Sequence, residues 1–473
     1  MRQKNQHLSL MDWVAVCMAV LLIVGRAIPI QPLNRFFLFS VTLDRLAFDI
    51  LTVVLLVRRF IRRKSAIRFS REFLLFLGMM VFWIIYGIAA GSLSSYSSLL
   101  ETERETILLL RGIMVVYCMF EVLETRNRTD LFISGLRLAC IVLIIMAVWE
   151  ALSGRYIWTS KYDAMPTVTL DGQNWMTGLY KSALYVSTGV FYNENDLSTI
   201  LSLLLPLFFL TKNVQKGKAV LYGTVLCMGT FVLMLNDSNI NAMALLVSLL
   251  AYTILVRGNW ERKTGMLGGI SLLYIRAADW IGMFVLKLKG VLFHGISAEE
   301  LLERAGLEDP VKKTSVIPSG KSFFDNFRKG LGSMLESGNG PLMSRVKIYK
   351  DGLKAFLASH GLGYGPGSYK AYFSENPGQT SILDPHNWWL EIMVKYGILV
   401  FAAYLATILT LYVRMIRTYL KNCDELYAVT VAICTGFVIA CISPSSFIRA
   451  VYQWFIPGLC IVLLRQNNDI SNS

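Results

Sequence analysis

The chain has 473 residues, of which 55% are hydrophobic and 16% are charged, and its mean hydropathy is +0.51. Because a soluble protein could not bury this much apolar side chain, lipid must be the solvent for most of the chain. The net charge of +14 comes mostly from short basic clusters between apolar runs, a pattern that indicates membrane orientation and anionic lipid headgroups and excludes nucleic acid as the expected partner.

Apolar runs long enough to cross a bilayer predict an all-α integral membrane protein with about twelve transmembrane helices. The first run begins at Met11 and continues to Arg26 and Pro29 without a small-residue cleavage site, so we interpret it as a retained helix. The predicted spans are 10–30, 36–57, 73–90, 106–123, 131–152, 195–211, 219–235, 240–256, 265–286, 388–412, 425–442 and 450–464.

Lys and Arg residues are distributed unevenly between the two sets of alternating loops. The set that includes both termini holds most of them, with the densest cluster between residues 58 and 71. The short loops of the opposite set hold only Arg35, Arg104, Arg155, Lys161, Lys181 and Arg449. Because basic loops stay inside, both termini are predicted to be cytoplasmic.

Two outward segments are too long to be simple connections, namely 153–194 and 287–387, and long loops are usually functional or disordered. The second lies between the ninth and tenth predicted spans. The sequence therefore predicts three parts. Residues 1–286 form transmembrane helices 1–9, residues 287–387 form an extracytoplasmic loop with short helices, and residues 388–473 form helices 10–12 and a cytoplasmic tail. Within the loop, Ser344 is predicted to cap a helix that Gly361 ends.

Charged residues inside predicted spans each cost about 2.5–3.5 kcal/mol if left alone at a helix centre. Some have an oppositely charged neighbour three or four residues away and are equally well read as paired structural ions: Arg45 with Asp49, Arg276 with Asp279, and Glu391 with Lys395. Arg26, Arg111 and Arg137 have no such neighbour, so they are better candidates for a diphosphate site. The cysteines include no CxxC spacing, so no metal site is predicted.

The long loop ends in Asp384-Pro385-His386-Asn387-Trp388-Trp389, directly before the tenth span. An imidazole at the membrane surface can take a proton from a sugar hydroxyl near neutral pH, and Asp384 or Glu391 could fix the tautomer of His386. The alternative is an interfacial polar residue beside a tryptophan belt.

A glycine-rich stretch, Gly361-Leu362-Gly363-Tyr364-Gly365-Pro366-Gly367, follows the predicted loop helix. Gly363 and Gly365 would let backbone N–H groups approach an anion, although the Lys of a P-loop is missing. The alternative is a flexible turn between two helices. Arg345, near the start of the preceding helix, could meet the same anion; by itself it would be a solvated arginine.

The sixth span begins with Phe191-Tyr192-Asn193-Glu194-Asn195-Asp196. Asn and Asp at this position either cap the helix or form hydrogen bonds with sugar hydroxyls beside the two aromatic residues.

Together these segments resemble the O-antigen ligase and Wzy-type polymerase superfamily of bacterial membrane glycosyltransferases. The matching elements are Asn195, Arg345 in SRVKIYKDGLKAF, GLGYGPG at 361–367 and PHNWWLEIMVKYGI at 385–398. The resemblance spans roughly 190–410 and looks most like Gram-positive members, including those of teichuronic acid and capsule synthesis. The family's Ser-Arg element appears here as Asp237-Ser238-Asn239, so Arg276 or Arg111 would have to replace the missing arginine.

The resemblance implies a GT-C-like enzyme of the bacterial cytoplasmic membrane that transfers a glycan from undecaprenyl diphosphate to an acceptor sugar hydroxyl at the extracytoplasmic face. It implies no nucleotide sugar, metal or other cofactor. The expected partners are the undecaprenyl-diphosphate-linked oligosaccharide, membrane lipid and other polysaccharide-export proteins. The implied catalytic residues are His386 and Arg345, and the implied substrate-binding residues are Arg26, Arg45, Arg111, Arg137, Arg276, Asn195, Gly363, Gly365, Asn387 and Glu391.

Polymerisation of repeat units is the favoured activity, because Gram-positive cells make no lipopolysaccharide core for a ligase to modify. Ligase-type transfer to a different acceptor is the first alternative. A flippase or other transporter is the second, but it would need no structured outer loop closed by His-Asn and would be expected to show internal repeats. A non-catalytic scaffold or sensor is the third.

Overall fold

The computed structural model describes residues 8–25, 28–29, 42–61, 69–153, 155–158, 160, 186–209, 215–236, 238–256, 288, 341–379, 385–444 and 446–472. Within these ranges the regular structure is helical, and the extended pairing is limited to one isolated bridge between Pro29 and Thr42. The predicted all-α class is therefore confirmed for this part of the chain. The predicted ninth span and most of the predicted outer loop lie outside the described residues.

The helices differ in length from the predicted spans; the first and the sixth, for example, are shorter than predicted. In chain order they are α1 (Leu10–Val24), α2 (Leu43–Ile61), α3 (Arg71–Leu93), α4 (Leu99–Val122), α5 (Arg126–Ser153), α6 (Glu194–Leu204) with a 3-10 turn (Leu205–Phe208), α7 (Lys216–Leu235), α8 (Asn239–Leu255), α9 (Pro341–Ala358), α10 (Ser368–Glu375), α11 (Trp388–Asn422), α12 (Glu425–Ala440), a 3-10 turn (Val451–Trp454) and α13 (Phe455–Asn472).

Among the described helices, four are long and apolar enough to cross a membrane, namely α3, α5, α7 and α11. Their outward faces are apolar as well as their inward faces. In α3, for example, Phe76 and Trp83 are fully buried, whereas Leu74 and Ile85 are 50% and 63% exposed. A helix that is apolar on all sides is suited to lipid rather than to water.

Ion pairs connect several helix ends at one end of the bundle. The pairs are Arg59 with Glu121, Arg126 with Asp424, Arg128 with Asp12, and Arg414 with Glu72. At this end of the bundle, α2 and α4 end and α11 reaches its last third. The helices α1, α3, α5 and α12 begin there. Successive helices in this set therefore run in opposite directions, which is the arrangement that the alternating loops predicted.

Helix α11 is broken at Gly397, whose φ of 73° and ψ of −178° are not helical. The indole Nε1 of Trp388 donates to the hydroxyl of Tyr404 at 3.2 Å, although sixteen residues of straight helix would separate them by about 24 Å. The chain therefore folds back at Gly397, and a half-helix, 388–396, packs beside the long helix 398–422. The prediction of one continuous span over 388–412 is wrong in form and extent, because an isolated glycine in an apolar run gives no clear sign of a break.

Candidate active site

The glycine-rich stretch packs directly against the break in α11. The N–H groups of Tyr364 and Gly365 donate to the carbonyls of Val394 and Lys395 at 3.0 and 2.8 Å, and the N–H of Ile398 donates to the carbonyl of Gly361 at 2.8 Å. These bonds satisfy backbone groups that the break would otherwise leave unpaired in an apolar environment. A side chain on Gly363 or Gly365 would collide with neighbouring backbone atoms, so the glycines permit a close approach.

The backbone N–H groups that were predicted to contact an anion at the glycine-rich stretch donate to acceptors within the protein instead. The N–H of Gly363 donates to the hydroxyl of Ser359 at 3.0 Å, and the N–H of Gly365 is already bonded to α11. Their role in substrate binding stays a prediction, while the geometry gives both a packing role.

Helix α9 brings Arg345 toward the start of the half-helix. It begins at Pro341, which suits the first helical position, so the prediction that Ser344 caps it is wrong. The face of α9 toward the half-helix is closely packed, and a side chain on Gly352 would collide with Leu390.

Arg345, Tyr349 and Asn387 lie together where α9 meets the start of α11. Burial raises the pKa of the Tyr349 phenol, while the charge of Arg345 and a hydrogen bond from Asn387 oppose that rise. Burial also lowers the pKa of Arg345, and Tyr349 opposes that change. In the described part of the chain, no acidic residue is paired with Arg345. A half-buried guanidinium of this kind is suited to phosphate oxygens.

Asn387 is the N-cap of the half-helix. Its side-chain oxygen accepts from the N–H groups of Trp389 and Leu390 at 3.0 and 3.3 Å, and its carbonyl accepts from the N–H of Glu391 at 2.9 Å. The N–H of Trp388 donates to the carbonyl of Cys441 at 3.1 Å. Since the donors of this first turn all have protein acceptors, anion binding here depends on side chains.

His386 directly precedes this cap and is half-buried, with a φ of 43°. Few residues other than glycine adopt a left-handed conformation, and His is among the more tolerant. The adjacent Asp384, predicted to orient the imidazole, lies outside the described residues. His386 therefore directly precedes Asn387, whose side chain forms a hydrogen bond with Tyr349.

A buried ionic network holds the far end of the half-helix. The ammonium of Lys395 contacts Glu105 of α4 at 2.6 Å and Glu391 at 2.8 Å, and the hydroxyl of Tyr396 donates to Glu105 at 2.5 Å. The predicted pairing of Glu391 with Lys395 is confirmed. All three charged groups are nearly inaccessible to solvent, so removing one partner would leave an uncompensated buried charge.

The turn 441–447, between α12 and α13, connects this network to a second polar cluster. Glu391 accepts from the hydroxyl of Ser446 at 2.6 Å and from the N–H of Phe447 at 2.9 Å, so both oxygens of this carboxylate have partners within the protein. Ser443 donates to Asn195 at 3.4 Å. The sequence analysis did not identify these serines, although their position between two apolar runs was a usable signal.

Asn195 lies in the first turn of α6, and the helix cap is Asn193, whose side chain accepts from the N–H of Asp196 at 2.9 Å. Capping by this segment is therefore confirmed. Asn241 donates to both Ser443 and Ser238 at 2.9 and 2.8 Å. Asn241 and Ser443 thus connect Asn195 to Ser238.

Two of the other predicted arginines, Arg111 and Arg137, contact groups within the protein. The guanidinium of Arg111 has an acidic neighbour after all, Asp49 of α2 at 3.5 Å. Arg137 donates twice to the carbonyl of Leu207, at 3.0 and 2.9 Å, about 18 Å along the α6 direction from Asn195. Arg45 lies in the first turn of α2, and Arg26 and Arg276 fall outside the described residues. Within those residues, no group of three or more His, Cys, Asp or Glu side chains is arranged to hold a metal ion.

Comparison with known proteins connects this geometry to a family. The O-antigen ligase family model matches residues 223–405, a range that contains α9, the glycine-rich stretch, His386 and the broken part of α11. The chain is also similar to the teichuronic acid biosynthesis protein TuaE of Bacillus subtilis (strain 168), with 24% identity over 400 residues, covering 80% of this chain and 69% of the relative.

Proposed function

Because residues 223–405 match the O-antigen ligase family model and the chain is similar to a teichuronic acid biosynthesis protein, we propose that it is a membrane enzyme of the O-antigen ligase and polymerase type. In this proposal it moves a glycan from undecaprenyl diphosphate to an acceptor sugar hydroxyl and thereby polymerises polysaccharide repeat units. The observation that carries this proposal is the grouping of Arg345, Tyr349 and Asn387 at the start of the half-helix, directly after His386 in the chain. The similarity to a protein named for teichuronic acid biosynthesis supports a cell-wall polysaccharide as the product class.

In the proposed reaction, the acceptor hydroxyl oxygen attacks the anomeric carbon of the donor. The bond from that carbon to the diphosphate oxygen breaks, and its electron pair leaves with the diphosphate. His386 accepts the hydroxyl proton, and Arg345 binds the oxygens on which negative charge develops. Asn387 fixes the start of the half-helix and so positions His386 relative to Arg345.

The same proposal assigns the protein to the bacterial cytoplasmic membrane, with both termini cytoplasmic and the reaction at the extracytoplasmic face. It retains about twelve transmembrane helices and the division into 1–286, 287–387 and 388–473. The clustering of basic helix ends at one end of the bundle supports this orientation, because such residues remain on the cytoplasmic side. Other polysaccharide-export proteins are the proposed partners.

Purified protein in vesicles tests the activity when it is given one lipid-linked repeat unit and no other acceptor. A polymerase forms a ladder of longer lipid-linked chains and releases undecaprenyl diphosphate. The ligase alternative is favoured by the description of the matching family model. It predicts no ladder and a single transfer once a separate wall or protein acceptor is added.

A further inference from the structure

A cleft of about 430 Å³ lies beside the break in α11, between the end of α3 and the segment 358–364. One wall consists of a single face of α3, formed by Tyr86, Ala89, Ala90 and Leu93. The opposite wall is the backbone and side chains around Gly363. The methyl groups of Ala89 and Ala90 leave space that larger residues would fill.

The lining has the chemistry of a site for a neutral ligand with many hydroxyls. Among the residues that the structure describes, the lining contains no Lys, Arg, Asp or Glu, so it is poorly suited to a diphosphate. It offers aromatic rings, hydroxyl groups and an imidazole beside an apolar wall. These groups belong to Tyr96, Ser94, Ser95, His360 and Tyr364. Pockets for small polar ligands generally combine a mostly apolar surface with a few placed hydrogen-bonding groups.

The aromatic rings of the cleft are held rigidly. Tyr96 contacts Tyr364 and Tyr372 edge to face, both at 5.2 Å, and Tyr364 stacks on Tyr372 at 4.8 Å. The hydroxyl of Tyr86 donates to the carbonyl of Leu362 at 2.9 Å. Burial and the neighbouring Tyr372 raise the pKa of Tyr364 to about 12, so its hydroxyl remains a donor. Rigid tyrosines supply contact area at a low cost in conformational entropy.

The cleft is separate from the candidate active site but connected to it by one helix. Ala358 at the end of α9 lines the cleft, whereas Arg345 near its start lies in the site. The thirteen helical steps from Arg345 to Ala358 span about 20 Å, a distance that several sugar residues of an extended glycan would cover.

We propose that this cleft binds sugar units of the glycan at a distance from the reacting end, and so retains a growing chain between successive transfers. The inference rests on the proposed glycosyl transfer and adds to it a second, uncharged saccharide site. The occupant is the saccharide and not the polyprenyl chain, because hydroxyl and imidazole groups line the cleft.

Ala89→Trp tests the proposal, because Ala89 is exposed within the cleft and the indole would fill it. The matched control is Ile88→Trp on the same helix, at a position that is 47% exposed and does not line the cleft. The probes are water-soluble oligosaccharides of increasing repeat number, released by mild acid from the strain's own polysaccharide, and undecaprenyl phosphate in detergent micelles. Binding is measured by calorimetry on the full-length protein, alongside its thermal unfolding.

We expect Ala89→Trp to weaken oligosaccharide binding about tenfold or more and to shorten the product ladder, while Ile88→Trp behaves as wild type. Unchanged oligosaccharide binding in Ala89→Trp would overturn the inference, as would a loss confined to undecaprenyl phosphate. Wild-type protein that forms no ladder but shows oligosaccharide binding sensitive to Ala89→Trp would refute the proposed function and leave the cleft assignment standing.

Discussion

Arg345 and His386 come from different segments, and a hydrogen bond between Asn387 and Tyr349 connects those segments. The amide oxygen of Asn387 is bonded to backbone N–H groups of the half-helix, so its amide nitrogen faces Tyr349. One amide therefore sets the start of a helix and the position of a phenol beside Arg345. A shift of this cap would change the distance between the proposed proton acceptor and the proposed diphosphate ligand.

His386→Asn is expected to lower the transfer rate by about 10²–10⁴-fold, the usual contribution of a general base. Asn accepts the positive φ of this position more readily than Ala does, so the variant removes the imidazole without adding backbone strain. His386→Ala, which adds that strain, is the companion variant. Donor consumption and thermal unfolding are measured together. Wild-type turnover in folded His386→Asn would rule out the base role.

Arg345→Ala is expected to raise the KM for the lipid-linked donor more than Arg345→Lys does, because Lys keeps the charge but lacks the planar fork. Loss of a charged hydrogen bond costs about 1.5–3 kcal/mol. The control is Arg104→Ala, which breaks a half-buried pair with Glu101 within α4 and should leave the KM unchanged. Equal effects of the Ala and Lys variants at Arg345 would argue against bidentate phosphate recognition.

The half-helix and the glycine-rich stretch form one structural unit, and the sequence predicted its parts but not their association. The spacing of Glu391 and Lys395 predicted their ion pair, and the repeated glycines indicated close backbone approach. The partner of that approach was not predictable, because Gly397 lies more than thirty residues later. Local spacing likewise could not reveal the Arg111–Asp49 pair, whose members are 62 residues apart on different helices.

Gly397→Ala tests this unit. Gly397 has a φ of 73°, and a Cβ there would collide with the carbonyl of Leu362, so both backbone strain of about 1–2 kcal/mol and steric overlap destabilise the variant. Gly78→Ala in α3 is the control, because its Cβ would meet no atom within 4 Å. It should be neutral or stabilising by up to about 1 kcal/mol. Thermal unfolding in detergent compares the two, and equal midpoints would contradict the packing role of Gly397.

At the scale of the whole molecule, alternating basic loops predicted which helix ends lie together, and the ion pairs at one end of the bundle agree with that arrangement. The pattern worked because charge distribution along the chain governs insertion. The partners within the bundle depend on tertiary packing, which no local pattern records. The count of spans and the side of the membrane on which each end lies stay predictions.

Labelling of single cysteines in whole cells tests the orientation. Cysteines introduced at Ser319 and at the exposed Asn376 should react with an impermeant thiol reagent, because both positions lie in the predicted outward loop. Native Cys423 is exposed after α11, at the opposite end of the bundle, and should react only after lysis. Labelling of Asn376→Cys only after lysis would reverse the proposed orientation.

The bonds between the glycine-rich stretch and the broken helix also have a consequence for biogenesis. A membrane helix that closes its own backbone hydrogen bonds is able to insert as an independent unit. The segment around Gly397 is not such a unit, because the carbonyls of Val394 and Lys395 find their donors in residues 364 and 365. We therefore expect the half-helix to settle late in assembly, after α3, α4 and the glycine-rich stretch have formed the surface that receives it.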